Sequence, residues 1–410
     1  MNRPVTSLLT AYGLALVGTR SSMIAIPWLV LMRFGDPMLA GVTGFAEMMP
    51  YVVAKAASGP LLDRLGARRI SIWGDIGAIP VLAAIPLLDG TGLLTRVVIV
   101  GLVVVLGALR GPADAAKYAL VPEVTGAAGV DLTNVTGAAA TLDRLAVILG
   151  AGLGAGLITA TGPTVALLAN AGLLALAAIV CGLGLRGIAA PAAAPAAPYL
   201  AQLRDGARFL WQDPVVRVLV VMVAVTNLLD QGMAQVMIPV WASNGSGINA
   251  LALVQIAFAV GAVTGSVLAS GWAGALPRLP VYALAYLVVG LPRYALFAIG
   301  ALMQITVGAL AVAGFAAGFI NPILGAMMFE RIPKELNGRD SALFTAIAWA
   351  LMPFGSLLAG ALIGMASLQA AFWTMGLIYF AATMMPLLIP AFHRITALPP
   401  SEDGQRQRDN

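Results

Sequence analysis

Val97-Val-Ile-Val-Gly-Leu-Val-Val-Val-Leu-Gly-Ala-Leu109 contains no polar side chain, and Ala166 to Leu185 presents no polar face. A helix on a water-soluble protein needs a polar side to meet solvent. Neither stretch provides one, and each approaches the ~20 apolar residues that cross a hydrocarbon layer. The composition agrees: 60% of the 410 residues are hydrophobic and 10% are charged, where a soluble domain carries about 25% charged residues. Lipid is the solvent these residues imply.

On either side of those two runs, apolar stretches alternate with charged or turn-rich interruptions. They predict spans near residues 6–32, 38–58, 70–88, 96–120, 132–159 and 163–185, then 215–240, 249–273, 279–300, 304–329, 340–363 and 369–391. The fold class expected is therefore an all-α membrane protein of twelve transmembrane helices in two six-helix halves. The halves are assigned to residues 1–188 and 214–392, with a linker at 189–213 and a tail at 393–410. The linker combines a Pro/Ala tract, Ala189 to Pro198, with an Arg-bearing amphipathic piece, Tyr199 to Trp211. An amino-terminal cytoplasmic start puts Arg64, Arg68, Arg69, Arg186, Arg204, Arg208, Arg278, Arg331, Lys334, Arg339, Arg394, Arg406 and Arg408 on the cytoplasmic side, leaving Arg33 and Arg96 outside. Both termini are expected in the cytoplasm. The first span, with Arg20 and Pro27 and no small-residue cleavage site, reads as retained. Arg in excess of Lys, with abundant Ala, Gly and Val, points to a GC-rich bacterial genome, and the expected location is the bacterial inner membrane.

The two halves echo one another. Gly150-Ala-Gly-Leu-Gly-Ala-Gly-Leu-Ile158 aligns with Gly355-Ser-Leu-Leu-Ala-Gly-Ala-Leu-Ile363, and Ile26-Pro27-Trp28 is matched by Ile238-Pro239-Val240-Trp241. Such parallel repeats are related by an axis along the membrane normal.

Several classes are excluded. Cys181 and His393 are the only cysteine and histidine, so no metal centre or disulfide framework is expected. There is no phosphate-binding loop and no activated nucleophile, hence no enzyme and no cofactor. The net charge of +5 is scattered through short loops and makes no nucleic-acid surface.

Between the second and third spans lies Gly59-Pro-Leu-Leu-Asp63-Arg64-Leu-Gly66-Ala-Arg68-Arg69. Its two glycines permit a tight turn, and Asp63 suits a helix start or an Arg partner. The stretch resembles motif A of the major facilitator superfamily, with Ala67 at the usual first basic position. The resemblance implies a latch between the halves on the cytoplasmic side, made by Gly59, Asp63, Arg64, Gly66, Arg68 and Arg69 and supported by Asp75. Arg110, paired at i, i+4 with Asp114, resembles the motif B arginine, which the family associates with proton coupling. The glycine run after Asp143-Arg144 resembles motif C of exporters, with Ala151 and Ala155 departing from it; close helix packing also explains such small residues. Phe45-Ala-Glu47-Met-Met-Pro50, Leu120-Val-Pro122-Glu123 and Asn134 resemble the subfamily of macrolide efflux pumps and the enterobactin exporter. That subfamily often has an acid in the middle of the first helix, where this chain has Arg20.

Charges inside spans are functional candidates by default. Asn227, Asp230, Gln231 and Gln235 share one helical face at mid-membrane depth, as a cavity lining would. Glu47 and Asp230 are the leading protonation candidates, since an ionised carboxylate is costly in a low-dielectric cavity. Arg110, Asp114, Asp143 and Arg144 are the further coupling candidates. Arg20 with Trp28, Tyr51, Phe258 and Trp349 would complete a surface for an amphipathic solute. The expectation is a monomeric secondary transporter, in contact with membrane lipids, that exports a small molecule against protons by alternating access. Proton-coupled nutrient import and lipid flipping on the same fold are the alternatives.

Overall fold

In the computed structural model the described residues are 2–186, 214–272, 277–329 and 347–388. Among them the chain is helical throughout, without strands. The first set comprises α1 (Arg3–Phe34), α2 (Pro37–Ala56), the short α3 (Gly59–Leu65), α4 (Ala67–Gly90), α5 (Arg96–Ala128), α6 (Leu132–Thr161) and α7 (Pro163–Gly184). The second comprises α8 (Pro214–Gly232), α9 (Gly247–Trp272), α10 (Arg278–Val289), α11 (Leu291–Ala298), α12 (Met303–Phe329), α13 (Met352–Met365) and α14 (Leu368–Met384). Among the described residues nine helical stretches are long and apolar enough to cross a membrane, one of them the 54-residue run Val216–Ala269. The assigned linker 189–213, the tail 393–410 and His393 lie outside the described residues.

Local chemistry sets the boundaries. Asp36, Thr95, Asp131 and Ser367 cap helix starts by accepting backbone N–H bonds from Leu39, Val98, Thr133 and Ala370. Pro37 and Pro163 open helices where the missing N–H is harmless. Large apolar side chains such as Val97, Val267 and Leu284 lie on the outer surface, where only lipid tails would cover them.

Two expected spans are irregular. Residues 279–300 form two helices, α10 and α11, because Gly290 has ψ −120° and breaks the ladder just before Pro292. Beyond α8 the helix widens into a π-helical turn at Met233–Met237, then a single turn Ile238–Trp241. The motif A segment also differs from a simple glycine turn. It contains the helix α3, and of its two glycines only Gly66 adopts a positive φ, of 82°.

The internal repeat is visible in the packing. In the first set α2 packs on α5, and α1 on α6 and α7; in the second α9 packs on α12, and α8 on α13. The α2–α5 crossing is so close that a Cβ on Gly107 or Gly111 would overlap the carbonyls of Glu47 or Tyr51. Gly314 and Gly318 occupy the same role against Phe258 and Gly265. The aligned glycines correspond too: Gly150 and Gly154 meet Arg20 and Ser21 of α1, and Gly355 meets Leu228 of α8. Across the two sets, α2 packs on α13 and α6 on α9.

Candidate functional site

A charged cluster is built where α4 and α5 meet α1. Asp75 is wholly buried, with Lys117 Nζ at 2.8 Å and Arg110 Nη1 at 3.3 Å. Arg110 Nη2 lies 3.2 Å from Asp114 Oδ1 and also donates to the Ala15 carbonyl and the Thr19 hydroxyl. Asp114 Oδ2 in turn accepts from Tyr51, 3.3 Å away, whose oxygen accepts from Lys55. Positions 110, 114 and 117 fall on one helical face, so Arg110 and Lys117 meet Asp75 and Asp114 in a compact ion-pair network in low dielectric. Asp75 thus pairs with α5, not with the charges of the motif A segment. Lys117 was not among the candidates; its spacing from Arg110 was the available signal.

The segment 59–69 stays with its own half. Arg68 Nη2 donates to the Gly182 carbonyl at 2.6 Å. Asp63, Arg64 and Arg69 are exposed, and among the described residues they form no ion pair. Asp143 accepts from the Tyr12 hydroxyl at 2.9 Å, tying α6 to α1, while Arg144 beside it is exposed.

Among the described residues three hollows lie in the bundle, the smallest almost wholly within the first half, the largest mainly within the second, and one between them. The smallest, about 20 Å³, is lined by Glu47, Thr19, Tyr51, Arg110 and Gln235, room for roughly one water. The second, about 260 Å³, is lined by Arg20, Asp230, Gln231, Gln235, Phe258 and Arg293. The third, about 360 Å³, takes in Arg144, Asn227, Asp230, Phe258, Tyr286 and Tyr379. Asp230 and Phe258 border both larger hollows, whose combined space falls in the ~300–1,000 Å³ range of small-molecule pockets.

Asp230 is ion-paired with Arg293 of α11. The guanidinium also faces the rings of Tyr294 and Tyr379, each 5.0 Å from its centre, and Phe258 at 5.7 Å. Along the polar face of α8, Asn227 donates to the Ala348 carbonyl at 3.0 Å. The Gln231 amide nitrogen and the Gln235 amide oxygen are buried with no hydrogen-bond partner. The π-helical turn at Gln235 is a device common at functional positions, since it re-aims side chains within a helix.

Two aromatic candidates sit elsewhere. Trp28 is buried in the hydrophobic core among Ile24, Leu29 and Leu31 and lines none of the three hollows, because α1 turns that face inward on its own bundle. Trp349 lies under Lys55, with Nζ 4.6 Å from the ring centre, which links the two halves.

The hollows are closed at the end of the bundle carrying the Gly35 and Gly247 turns. There a Cβ on Gly41 would stand 3.0 Å from Gly360 Cα across the halves. Thr159 of α6 donates to Asn249 of α9 at 2.9 Å. Phe45 meets Phe354 with ring centres 5.3 Å apart.

The model of the Major Facilitator Superfamily matches residues 8–272 and 220–408. The multidrug efflux pump Tap of Mycolicibacterium fortuitum is 28% identical over 401 residues, covering 96% of this chain and 97% of that protein. Tap of Mycobacterium tuberculosis H37Rv is 28% identical over 404 residues, covering 97% and 96%. Among solved structures, the nucleoside transporter NupG superposes with a TM-score of 0.70 at 13% identity, covering 97% of this chain and all of that one. A D-xylose-proton symporter superposes at 0.67 and 15% identity, covering 96% and 99%.

Proposed function

The chain belongs to the Major Facilitator Superfamily and is a membrane transporter, not an enzyme; we propose that it exports amphipathic small molecules in exchange for protons. The observation that carries this reading is the central pocket. It lies between the halves, is sealed at one end by the Gly41–Gly360 approach, and combines aromatic walls with the carboxylate of Asp230. An apolar lining with a few placed polar groups suits loosely selective binding. The name of the Tap relatives supports the outward direction.

In this mechanism the spans work as two rocking halves with both termini in the cytoplasm, and the close Gly41–Gly360 approach belongs to a state closed at the opposite, outer end. The exposed, unpaired Asp63 and Arg64 fit a latch released in this state. Glu47 sits against a water-sized hollow beside Arg110, and Asp230 is shared between Arg293 and the open pocket. Taking up a proton on either carboxyl removes a buried charge, and losing it restores the ion pair or the Arg110 attraction. Substrate and proton would compete for this polar centre, which is the requirement for exchange.

The test uses purified protein in proteoliposomes, with an imposed pH gradient and a panel of amphipathic dyes and antimicrobials. Gradient-driven accumulation that collapses on adding a protonophore is expected, together with proton release on substrate binding. Transport indifferent to the gradient would overturn the coupling. Movement only in the opposite direction would overturn export.

A further inference from the structure

We infer that the central pocket selects solutes carrying a negatively charged head on an aromatic or apolar body, and that Arg20 of α1 with Gln231 of α8 receives that head. The inference rests on the transporter reading and names its substrate class.

Three cations reach the two larger hollows, Arg20, Arg144 and Arg293, against one acid, Asp230. Arg293 is matched by that acid and boxed by tyrosines, so its charge is already answered. Arg20 is not. Among the described residues no carboxylate lies within ion-pair distance of it, and its one hydrogen-bond partner there is the Met23 thioether, at 3.8 Å. Its Nε is buried without a partner. Across the same hollow the amide nitrogen of Gln231, a residue 91% buried by its 9% relative exposure, is also without a partner. Side chains from opposite halves thus line one space, and each carries a buried donor nitrogen that lacks an acceptor. Buried donors left unsatisfied are costly, and a guanidinium at membrane depth more so.

The placement is built into the packing. Gly150 of α6 presses on the Arg20 stem, where any Cβ would overlap the Arg20 Cβ. The stem is thereby fixed and the head directed to the pocket, the pre-organisation that makes a charge-assisted bond effective. Arg144, exposed at the edge of the adjoining hollow, adds a second positive charge on the approach. Phe258, shared by both hollows, and Tyr286 and Tyr379 supply a surface for the apolar body.

A carboxylate, a sulfonate or a phosphate would satisfy these donors, and either a free solute or a lipid headgroup could bring one. The experiment uses the purified protein in phosphatidylcholine nanodiscs, with empty discs as blank, and three probes of one shape: naphthalene-1-carboxylate, naphthalene-1-carboxamide and 1-naphthylmethylammonium. By calorimetry the carboxylate is expected to bind about tenfold tighter than the ammonium, the factor that one charge-assisted hydrogen bond supplies. Arg20→Gln should abolish that preference and leave carboxamide affinity within about twofold, while Arg20→Lys keeps part of it. Gln231→Leu should weaken carboxylate binding while retaining the sign of the preference. In discs containing phosphatidylglycerol, unchanged carboxylate affinity assigns the site to soluble anions. A loss that Arg20→Gln removes assigns it to headgroups, and both results uphold the anion site. Equal or tighter ammonium binding, a preference that survives Arg20→Gln, or no binding of any probe overturns it. Gradient-driven dye transport in the same preparation tells the two readings apart: its persistence means only the charge selectivity has failed, and its absence means the transport reading has failed.

Discussion

Arg293 donates to the carboxylate of Asp230 and is held at the same time by the faces of Tyr294 and Tyr379. A mid-membrane acid can be relieved by a fixed partner or by a proton, and here both routes are open: Arg293 is buried, whereas the Asp230 side chain is 41% exposed to the pocket. Asp230→Asn is therefore expected to fold, because the stranded guanidinium keeps its aromatic partners. The loss is set at about 1 to 2 kcal/mol, below the 3–5 kcal/mol of a fully buried broken pair. Substrate-induced proton release should fall sharply while binding persists. Thermal unfolding in detergent and pH-indicator measurements in liposomes check both; wild-type proton release would remove Asp230 from coupling.

Lys117 is expected to be structural. It lies 2.8 Å from an Asp75 that has no access to solvent, and Arg110, the other cation there, is divided between Asp75 and Asp114. Lys117→Met should cost about 3–5 kcal/mol by leaving a buried carboxylate short of a partner. Adding Asp75→Asn should recover much of that. Folded yield on size exclusion, compared for the single and double variants, measures the coupling; additive losses would refute the pairing.

Much of the architecture was legible because span length and apolar continuity are written locally. The run Val97–Leu109 lies in α5 and all but the last residue of Ala166–Leu185 in α7, and the glycines aligned between the halves mark equivalent helix crossings. Helical spacing was enough to group Asn227, Asp230 and Gln231 on α8, whereas Gln235 falls in the π-helical turn beyond it. Partner choice was not legible. Whether Asp75 faced the motif A charges or α5 depends on helix rotation, and Trp28 could be placed in the core only once the facing of α1 was known. The break at Gly290 and the π-helical turn at Gln235 add or lose hydrogen bonds without changing hydropathy, so an apolar count passes over them.

Lys55 and Trp349 join the halves towards the end opposite the closed one, with Nζ 4.6 Å above the ring. A cation–π contact of this kind contributes about 0.5–1 kcal/mol. It is small against folding but direct in its effect on a balance between two states. Trp349→Ala should change the ratio of the two states by about twofold to fivefold with folded yield unchanged. Fluorescence energy transfer between labels on the two halves reads that ratio, and no change would mean the contact is incidental.

Gly41 and Gly111 are both crowded, yet their substitutions should fail differently. Gly111 meets Tyr51 and Lys55 of α2 within its own half, a crossing that both transport states would retain. Gly111→Val must push α2 from α5 in every state, so folded yield should drop. Gly41 meets Ser356 and Gly360 of α13 across the halves, a contact that rocking would break. Gly41→Val penalises only the state closed at that end, and the protein can escape the overlap by opening there. A disulfide reporter distinguishes the cases, because Thr159 and Asn249 come within 2.9 Å at the same end and Cys181, the native cysteine, is buried. With Thr159→Cys and Asn249→Cys in place, cross-linking should be efficient in the parent and reduced about fivefold or more by Gly41→Val, corresponding to roughly 1 kcal/mol of overpacking. Folded yield should stay near the parent's. Undiminished cross-linking in Gly41→Val would mean that this approach does not form the seal; an equal loss of yield in both variants would mean that α2 and α13 never separate.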